Sequence, residues 1–519
     1  MSSKKSEAAL ETVLHAVQKN YISLNDQDMK IYGDHFTKVL TQLIELMKQE
    51  DALFKAIYSR LCGAGSYYDG LKVGKPEEYD MDVVMRLPIN YNDIIIDNSG
   101  VPAAFTKVKI TKGMDQLRQH PEWTSKYRYM DSWRNKDDYL LETEFRKWIE
   151  SVVNKALNTL KQKKSNCYEL VLENPDGLGE KTPYQISLTK SGPAMTFNII
   201  IPPDNAKVDV DFVPVIEFTH PKWPPHHVRS LSPNLIAAKR TSWFIVPKPK
   251  KGNTDGTLWR LAFHEQEREM INDKGVLKPV CRLLKKFRDT QGINIASYYL
   301  KTLFLWEVDI RGREFWTQKQ GFLFMHMLKV FRDKLQQKSI NYYWDKRYDL
   351  TEGYNDKNKK NICDRLNKII EKIEKEVETN PMIVAKFILP KKEFESLEKN
   401  TILPNLLETA SVSSTIKQHC GVPVVVKESS QQVQAKKSEP KSGSPDVAAK
   451  LNQMMTLLQT LNRKVDSLTD TVNQLRDDNA TLRDQLRLGK QQNCSNRQLP
   501  SELDVMLLTA ENFARDMHL

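Results

Sequence analysis

Three carboxylates and a turn of small residues mark the part of this chain where chemistry could take place. Glu78-Tyr79-Asp80-Met81-Asp82 alternates acids with large side chains, the pattern of a strand. Alternate residues of a strand share a face, so Glu78 and Asp80 point the same way, about 7 Å apart. Carboxylates so placed can bridge two divalent cations, which activate an attacking hydroxyl and neutralise a leaving pyrophosphate. Eleven residues separate Glu78 from Gly65-Ser66. A small-residue turn lets phosphate oxygens approach main-chain N–H groups, with the Ser66 hydroxyl as a further donor. The catalytic metal needs a third carboxylate. Lys207-Val208-Asp209-Val210-Asp211-Phe212 supplies a second acid-bearing strand, on which Asp209 and Asp211 are both candidates. An acidic strand alone is more often an edge charged against aggregation. The Gly-Ser turn at this distance and the second acidic strand weigh against that.

The surrounding periodicity says what must hold these residues. Residues 5–60 read as helices, with Phe36, Val39, Leu40, Leu43, Leu46 and Met47 as an apolar stripe. Cys62–Tyr68 is a turn, and Tyr79–Leu87 a strand. A helix is expected over 138–162, with Phe145, Trp148, Ile149, Val152, Ala156 and Leu160 on one face. Met195–Ile201 and Lys207–Phe218 read as strands, and 275–400 as mostly helical. The order predicts an α+β fold of two lobes. Residues 1–230 form N-terminal helices and a mixed-sheet lobe, and 231–410 a helical lobe.

Beyond Val426 the chain turns polar, and a flexible linker is expected over 411–444. Leu451, Leu458, Val465, Val472, Asn479 and Leu486 then recur every seven residues, offset by three from Met454, Leu461, Leu468, Leu475 and Leu482. This heptad pattern specifies a coiled coil over 445–490, and Asn479 at a core position favours a parallel homodimer. A single amphipathic helix docked on the body is the alternative. A tail with a short helix starting at Ser501 is expected over 491–519.

Lys and Arg number 78 against 66 Asp and Glu in 519 residues, a net charge of +12 that suits a polyanionic partner. The N-terminus lacks the apolar core of a signal peptide, and no apolar run is long enough to span a membrane. The six cysteines are scattered with no CxxC pair, a reduced cytoplasmic pattern offering no structural zinc site.

Several stretches, in order, resemble the cGAS and cGAS-like receptor nucleotidyltransferases. They are GSYYDGLKVGKPEEYDMDVVMRLP, SGPAMTFNI, VDFVPVIEF followed by KWPPH, WFIVPKPKKGNTDGTLWRLAFHEQE, and CRLLKKF followed by ASYYLKTLFLWE. The resemblance covers residues 20–400. It implies a two-lobed nucleotidyltransferase fold and synthesis of a cyclic dinucleotide from ATP and GTP. Two Mg²⁺ ions, replaceable by Mn²⁺, would support the reaction. It places the metal ligands on Glu78, Asp80 and Asp211, the last preferred over Asp209 for its spacing to Glu217. Gly65 and Ser66 match the phosphate-binding turn, Arg260 a base- and phosphate-contacting arginine, Lys285 and Ser297 phosphate contacts, and Tyr298 the residue that stacks on a base. The vertebrate enzyme's His/Cys zinc insert has no counterpart between Cys281 and Cys363. No zinc is therefore expected, and DNA as the activator is put in doubt. The coiled coil lies outside the family core.

Arg146, Lys147, Lys155, Lys161, Lys163 and Lys164 make the expected helix over 138–162 basic on its outer side and end, and Lys239, Arg240, Lys248, Lys250 and Lys251 form a second cluster. In the resembling family the equivalent helix lies along nucleic acid, so double-stranded RNA, read through phosphates and shape, is the expected activator. The expected function is RNA-activated synthesis of a cGAMP-like messenger in the cytoplasm, in innate antiviral signalling. An oligoadenylate synthetase-like linear polymerase and a nonenzymatic nucleic-acid-binding scaffold are the alternatives.

Overall fold

In the computed structural model the described residues are 4–399, apart from 174–179, 192–193, 203–204, 251 and 253. The linker, coiled coil and tail expected over 411–444, 445–490 and 491–519 lie outside them.

The chain begins with helices α1 (Lys4–Val17), α2 (Asp26–Glu50) and α3 (Ala52–Ile57), the first two joined by a π-helical turn over Gln18–Ile22. Strand β1 (Tyr58–Ala64), the single-turn helix α4 (Gly65–Tyr68) and strand β2 (Glu78–Met85) follow. Strands β3 (Ile94–Asp97) and β4 (Phe105–Ile110) then precede helices α5 (Gly113–Arg118), α6 (Thr124–Asp131) and α7 (Glu142–Asn158). The long antiparallel run is β5 (Lys161–Lys164), β6 (Cys167–Glu173), β7 (Lys181–Ser191), β8 (Ala194–Ile201) and β9 (Ala206–Thr219). After helix α8 (Pro233–Ala237) come β10 (Ser242–Val246) and β11 (Trp259–Ala262). The remainder is helical: α9 (His264–Ile271), α10 (Leu277–Thr290), α11 (Ser297–Ile310), α12 (Gln320–Gln336), α13 (Asp356–Glu376), α14 (Met382–Ile388) and α15 (Lys391–Lys399).

One eleven-stranded sheet runs β3-β4-β11-β10-β9-β8-β7-β6-β5, with β2 added to β9 and β1 to β2. Strand β9 is the branch point. Its first half pairs with β8, its middle runs parallel to β2, and its end pairs with β10. The sheet thus extends past residue 230 through β10 and β11, and the mostly helical region starts at His264. A five-residue strand such as Ser-Trp-Phe-Ile-Val carries too few residues for periodicity to separate it from a helix turn.

Period two divides the central strands. Tyr79, Met81, Val83 and Met85 of β2, with Val208, Val210 and Phe212 of β9, enter the main core. Glu78, Asp80 and Asp82 alternate with them and occupy the other face. Helices α2 and α7 contribute Phe36, Val39, Leu40, Leu43, Ile44 and Met47, and Phe145, Trp148, Ile149, Val152, Val153, Ala156 and Leu157, all buried at helical spacing. Phe36 stacks on Tyr79 with centroids 4.0 Å apart.

Helix α7 stops at Asn158, short of the expected 162. Lys161, Lys163 and Lys164 therefore lie on β5, an exposed edge strand. Lys164 pairs with Cys167 across Ser165-Asn166, and Asn166 takes φ +56°, the left-handed backbone a tight hairpin requires.

The N-terminal helix joins the helical region rather than the sheet. Glu11 accepts from the main-chain N–H of Gln320 (3.1 Å) and of Gly321 (2.6 Å) at the start of α12. Those N–H groups have no partner within their own helix, and a carboxylate there also meets the positive end of the helix dipole.

Removing the Phe36 ring leaves Tyr79 without its stacking partner behind the acidic strand. Phe36→Ala is expected to lower unfolding free energy by about 3–4 kcal/mol in urea titration, without changing where the acids lie.

Candidate active site

The acids of the two strands meet through register. Parallel pairing sets Glu78 beside Asp209 and Asp80 beside Asp211, so all four carboxylates share one face. Neighbouring strands lie about 4.8 Å apart, close enough for paired carboxylates to repel or to share a cation. Burial and the adjacent Asp211 push the Asp80 carboxyl up from 3.8 to about 6.

The four are not equivalent. Asp80 lines a cavity of about 300 Å³ together with Gly65, Ser66, Lys285, Ser297 and Tyr298. Asp211 accepts from the Thr196 hydroxyl at 2.6 Å, leaving its second oxygen for other contacts. Asp209 has one oxygen on the Asn198 amide (2.8 Å) and the other on the Lys207 ammonium (3.0 Å). Glu78 is 74% exposed and paired with Lys72 at 2.6 Å. It borders, with Asp209, a neighbouring cleft of about 280 Å³.

Gly65 explains how the turn reaches the acids. Its φ is +70°, and a Cβ there would be driven into the Asp80 carboxylate. Glycine is thus required twice, for the backbone and for the approach. Ser66 follows it in the first turn of α4.

Opposite stand the basic and aromatic residues. Lys285, buried on α10, donates to the main-chain oxygen of Leu71 at 2.6 Å, and burial lowers its pKa. The Ser297 hydroxyl, at the start of α11, accepts from Arg288 at 2.8 Å. The Tyr298 hydroxyl donates to Glu267 at 2.7 Å. Arg260 does not line the cavity. Its guanidinium lies over Phe105, Tyr342 and Tyr348 at 5.5, 5.3 and 5.0 Å, and Tyr342 lies 6.2 Å from Tyr298. The structure thus brings together Gly65, Ser66, Asp80, Lys285, Ser297 and Tyr298, with Asp211 beside Asp80, and sets Arg260 one aromatic layer away.

Three charged residues of the cavity went unmarked in the sequence. Lys301, buried on α11, bridges Asp69 (2.6 Å) and Glu267 (2.9 Å), both buried. Asp69 also faces Arg268 at 3.5 Å. Burial opposes the charge on Lys301, but the two carboxylates outweigh it and hold the ammonium above its ordinary range. One signal was available: Lys301 lies one helical turn beyond Ser297 and Tyr298 and shares their face.

With this geometry in view, similarity to known proteins becomes informative. A family profile described as the Mab-21 protein nucleotidyltransferase domain matches residues 67–273, and one described as the Mab-21 protein HhH/H2TH-like domain matches 276–368. A cyclic GMP-AMP synthase-like receptor of Tribolium castaneum is 34% identical over 409 residues, 78% of this chain and 98% of that protein. Proteins of the same description from Aethina tumida and Ctenocephalides felis are each 33% identical, over 74% and 75% of this chain and 92% and 90% of their own lengths. The chain belongs to the cGAS-like receptor family of nucleotidyltransferases. The boundary between the two matched domains falls between α9 and α10, where the sheet has ended.

Two stability measurements follow. The Asp80 carboxyl titrates higher in the folded chain than in the unfolded one, so its ionisation costs stability as pH rises from about 4 to about 6, and the cost persists above. Without metal at pH 7, Asp80→Asn is expected to stabilise the fold by on the order of 2 kcal/mol, read by denaturant titration, with the gain vanishing near pH 4. Lys301→Ala strands Asp69 and Glu267 and is expected to lower stability by about 3–5 kcal/mol. Adding Asp69→Asn should restore part of that loss.

Proposed function

We propose that this nucleotidyltransferase makes a cyclic dinucleotide of the cGAMP type from ATP and GTP, under the control of double-stranded RNA, as an innate immune signal in the cytoplasm. The observation that carries the reading is the register of Asp80 against Asp211 beneath the Gly65-Ser66 turn. Carboxylates paired on a half-buried surface, one with its pKa raised by burial and by the other, form a donor set that divalent cations neutralise, so the residues fit two Mg²⁺ or Mn²⁺ ions. Glu78, Asp80 and Asp211 would hold them. Asp211 is preferred over Asp209, whose two oxygens are already engaged by Asn198 and Lys207. Bound there, the ions would activate the attacking hydroxyl and offset charge on the leaving pyrophosphate.

The protein's own groups do the positioning. Gly65 admits a triphosphate close to the main chain, and Ser66 offers a hydroxyl donor. Lys285 and Ser297 face the same cavity and would contact phosphate oxygens. Tyr298, its phenol anchored on Glu267, offers a ring face to a base. Arg260 holds Tyr342 from outside the cavity, a supporting role in place of the direct base contact expected from the resemblance. Glu78 begins on Lys72, so assembling the three acids requires that ion pair to open, which is where an activating ligand could act through differential affinity.

For the activator, the candidate surface is Arg146, Lys147 and Lys155 on α7 and Lys161, Lys163 and Lys164 on β5. Lys147, Lys155 and Lys163 form ion pairs with Glu144 (2.7 Å), Asp51 (3.9 Å) and Glu169 (2.8 Å). Such pairs are weak and would exchange readily for phosphate. The heptads of 445–490 would dimerise the chain and raise avidity for long duplexes.

Incubation with ATP, GTP, Mg²⁺ and duplex RNA should yield one cyclic species by mass and nuclease resistance. Asp80→Ala or Asp211→Ala should cost at least about 1,000-fold in rate, and Asp209→Ala much less. A ladder of linear oligomers would overturn cyclisation, and unchanged turnover in both variants would overturn the site. Replacing Lys161, Lys163 and Lys164 by Ala should weaken RNA binding across sequences and reduce the salt slope by about 1 per lost phosphate contact.

A further inference from the structure

At the wall of the cavity, which His264 lines, β1 and the start of α9 bring together a second set of metal-ligating side chains. Cys62 on β1 has its Sγ 3.5 Å from His264 Nε2 and 3.5 Å from Glu265 Oε1. The three donor atoms all lie within 4.8 Å of one another. Zinc bonds of about 2.3 Å to sulfur and about 2.0–2.1 Å to nitrogen or oxygen, set at the tetrahedral angle, put a sulfur about 3.6 Å from its neighbouring ligand atoms. Both sulfur distances match that edge. One cation placed among them would engage all three donor atoms at once.

The surroundings prepare these groups for a metal. His264 Nδ1 faces Asp82 Oδ2 at 3.4 Å. With its proton on Nδ1 toward Asp82, the imidazole would turn its Nε2 lone pair to Cys62, as a metal-ligating histidine with an acidic outer partner does. The Phe244 ring lies flat against the imidazole, centroids 4.7 Å apart and planes 8° from parallel, and fixes its orientation. Burial and the neighbouring carboxylates push the Cys62 thiol up to about 12, so a cation has to displace its proton. Arg60 holds Glu265 Oε1 at 3.2 Å and Glu217 at 2.9 Å, a hydrogen-bonded outer partner for a ligating carboxylate.

We propose that Cys62, His264 and Glu265 bind one zinc ion, with a fourth position open to water, as a centre separate from the catalytic carboxylates. Binding forms bonds from zinc to the Cys62 sulfur, the His264 nitrogen and the Glu265 oxygen in place of coordinated water and releases the Cys62 proton, and nothing is oxidised or reduced. The site clamps β1 to α9. Since β1 leads directly into Gly65-Ser66, it steadies the phosphate turn from behind. The absence of zinc expected from the scattered cysteines rested on clusters close in sequence, whereas here the ligands are 202 and 203 residues apart.

The test uses the full-length chain carrying Asp80→Asn and Asp211→Asn, which removes two of the three acids proposed to bind Mg²⁺. Titration with Co²⁺ should give one ion with thiolate-to-metal charge-transfer absorption, displaced by zinc. Cys62→Ser should abolish that absorption and weaken zinc at least about 100-fold in chelator competition. Glu265→Gln removes a ligand and should weaken it by at least the about 10–100-fold that losing an outer partner costs. In the otherwise unaltered chain, zinc should protect Cys62 from alkylation, read by peptide mass, and leave Cys167 labelling unchanged. Cobalt absorption without a thiolate band, the same band in Cys62→Ser, or Cys62 labelling indifferent to zinc would each overturn the proposal.

Discussion

Everything at the centre of this molecule depends on two strands, far apart in sequence, running parallel in one register. A shift of one residue between β2 and β9 would place Asp80 opposite an apolar side chain and send the acids to opposite faces. Register is enforced from behind, where Tyr79, Met81, Val83, Val208, Val210 and Phe212 can pack in the core in only one alternation. The hydrophobic face therefore holds together carboxylates that repel each other, and burial together with the adjacent Asp211 pushes the Asp80 carboxyl up. Carboxylates held this close are costly to the fold, as groupings at functional sites commonly are.

Around that seam, charge is organised in depth. Lys301 joins Asp69, just after the phosphate turn, to Glu267 on α9, and Glu267 also receives the hydroxyl of Tyr298 and the indole N–H of Trp344 at 3.1 Å. The turn, α9 and α11 thereby share one buried ammonium. A buried pair of this kind adds little net stability, yet losing either partner is expensive, so it fixes geometry more than it strengthens the fold. Asp69, Glu267 and Lys301, from three different elements, cannot drift apart without stranding a charge.

How much of this could be read from the chain alone differs by residue. Alternation along Glu78–Asp82 and Lys207–Phe212 was enough to place the acids on strands. The choice between Asp209 and Asp211 was not, because both have the same parity and only the register with β2 and the engagement of Asn198 and Lys207 distinguish them. Helix α7 was visible from its apolar stripe, but its end was misplaced because Leu160 continues the stripe while the Ser165-Asn166 hairpin claims the lysines for β5. Arg260 matched a motif, yet the three rings around it come from β4 and from the segment after α12. Buried ions such as Lys301 leave little local trace, since a lysine in a helix reads as solvated until its partners are known.

The tie between Glu11 and the first N–H groups of α12 sets a limit on how the chain can be divided. The recognisable nucleotidyltransferase domain begins at residue 67, but Val13, Leu14, Val17 and Ile22 are fully buried in the common core, and Gln18 donates to the main-chain oxygen of Pro279 at 2.6 Å. A fragment cut to the domain boundary would uncover a greasy trench across α10, α12 and α14 and leave the α12 terminus without its carboxylate. The smallest piece able to stand alone is thus larger than its family signature, and it starts with the amphipathic segment that the signature omits.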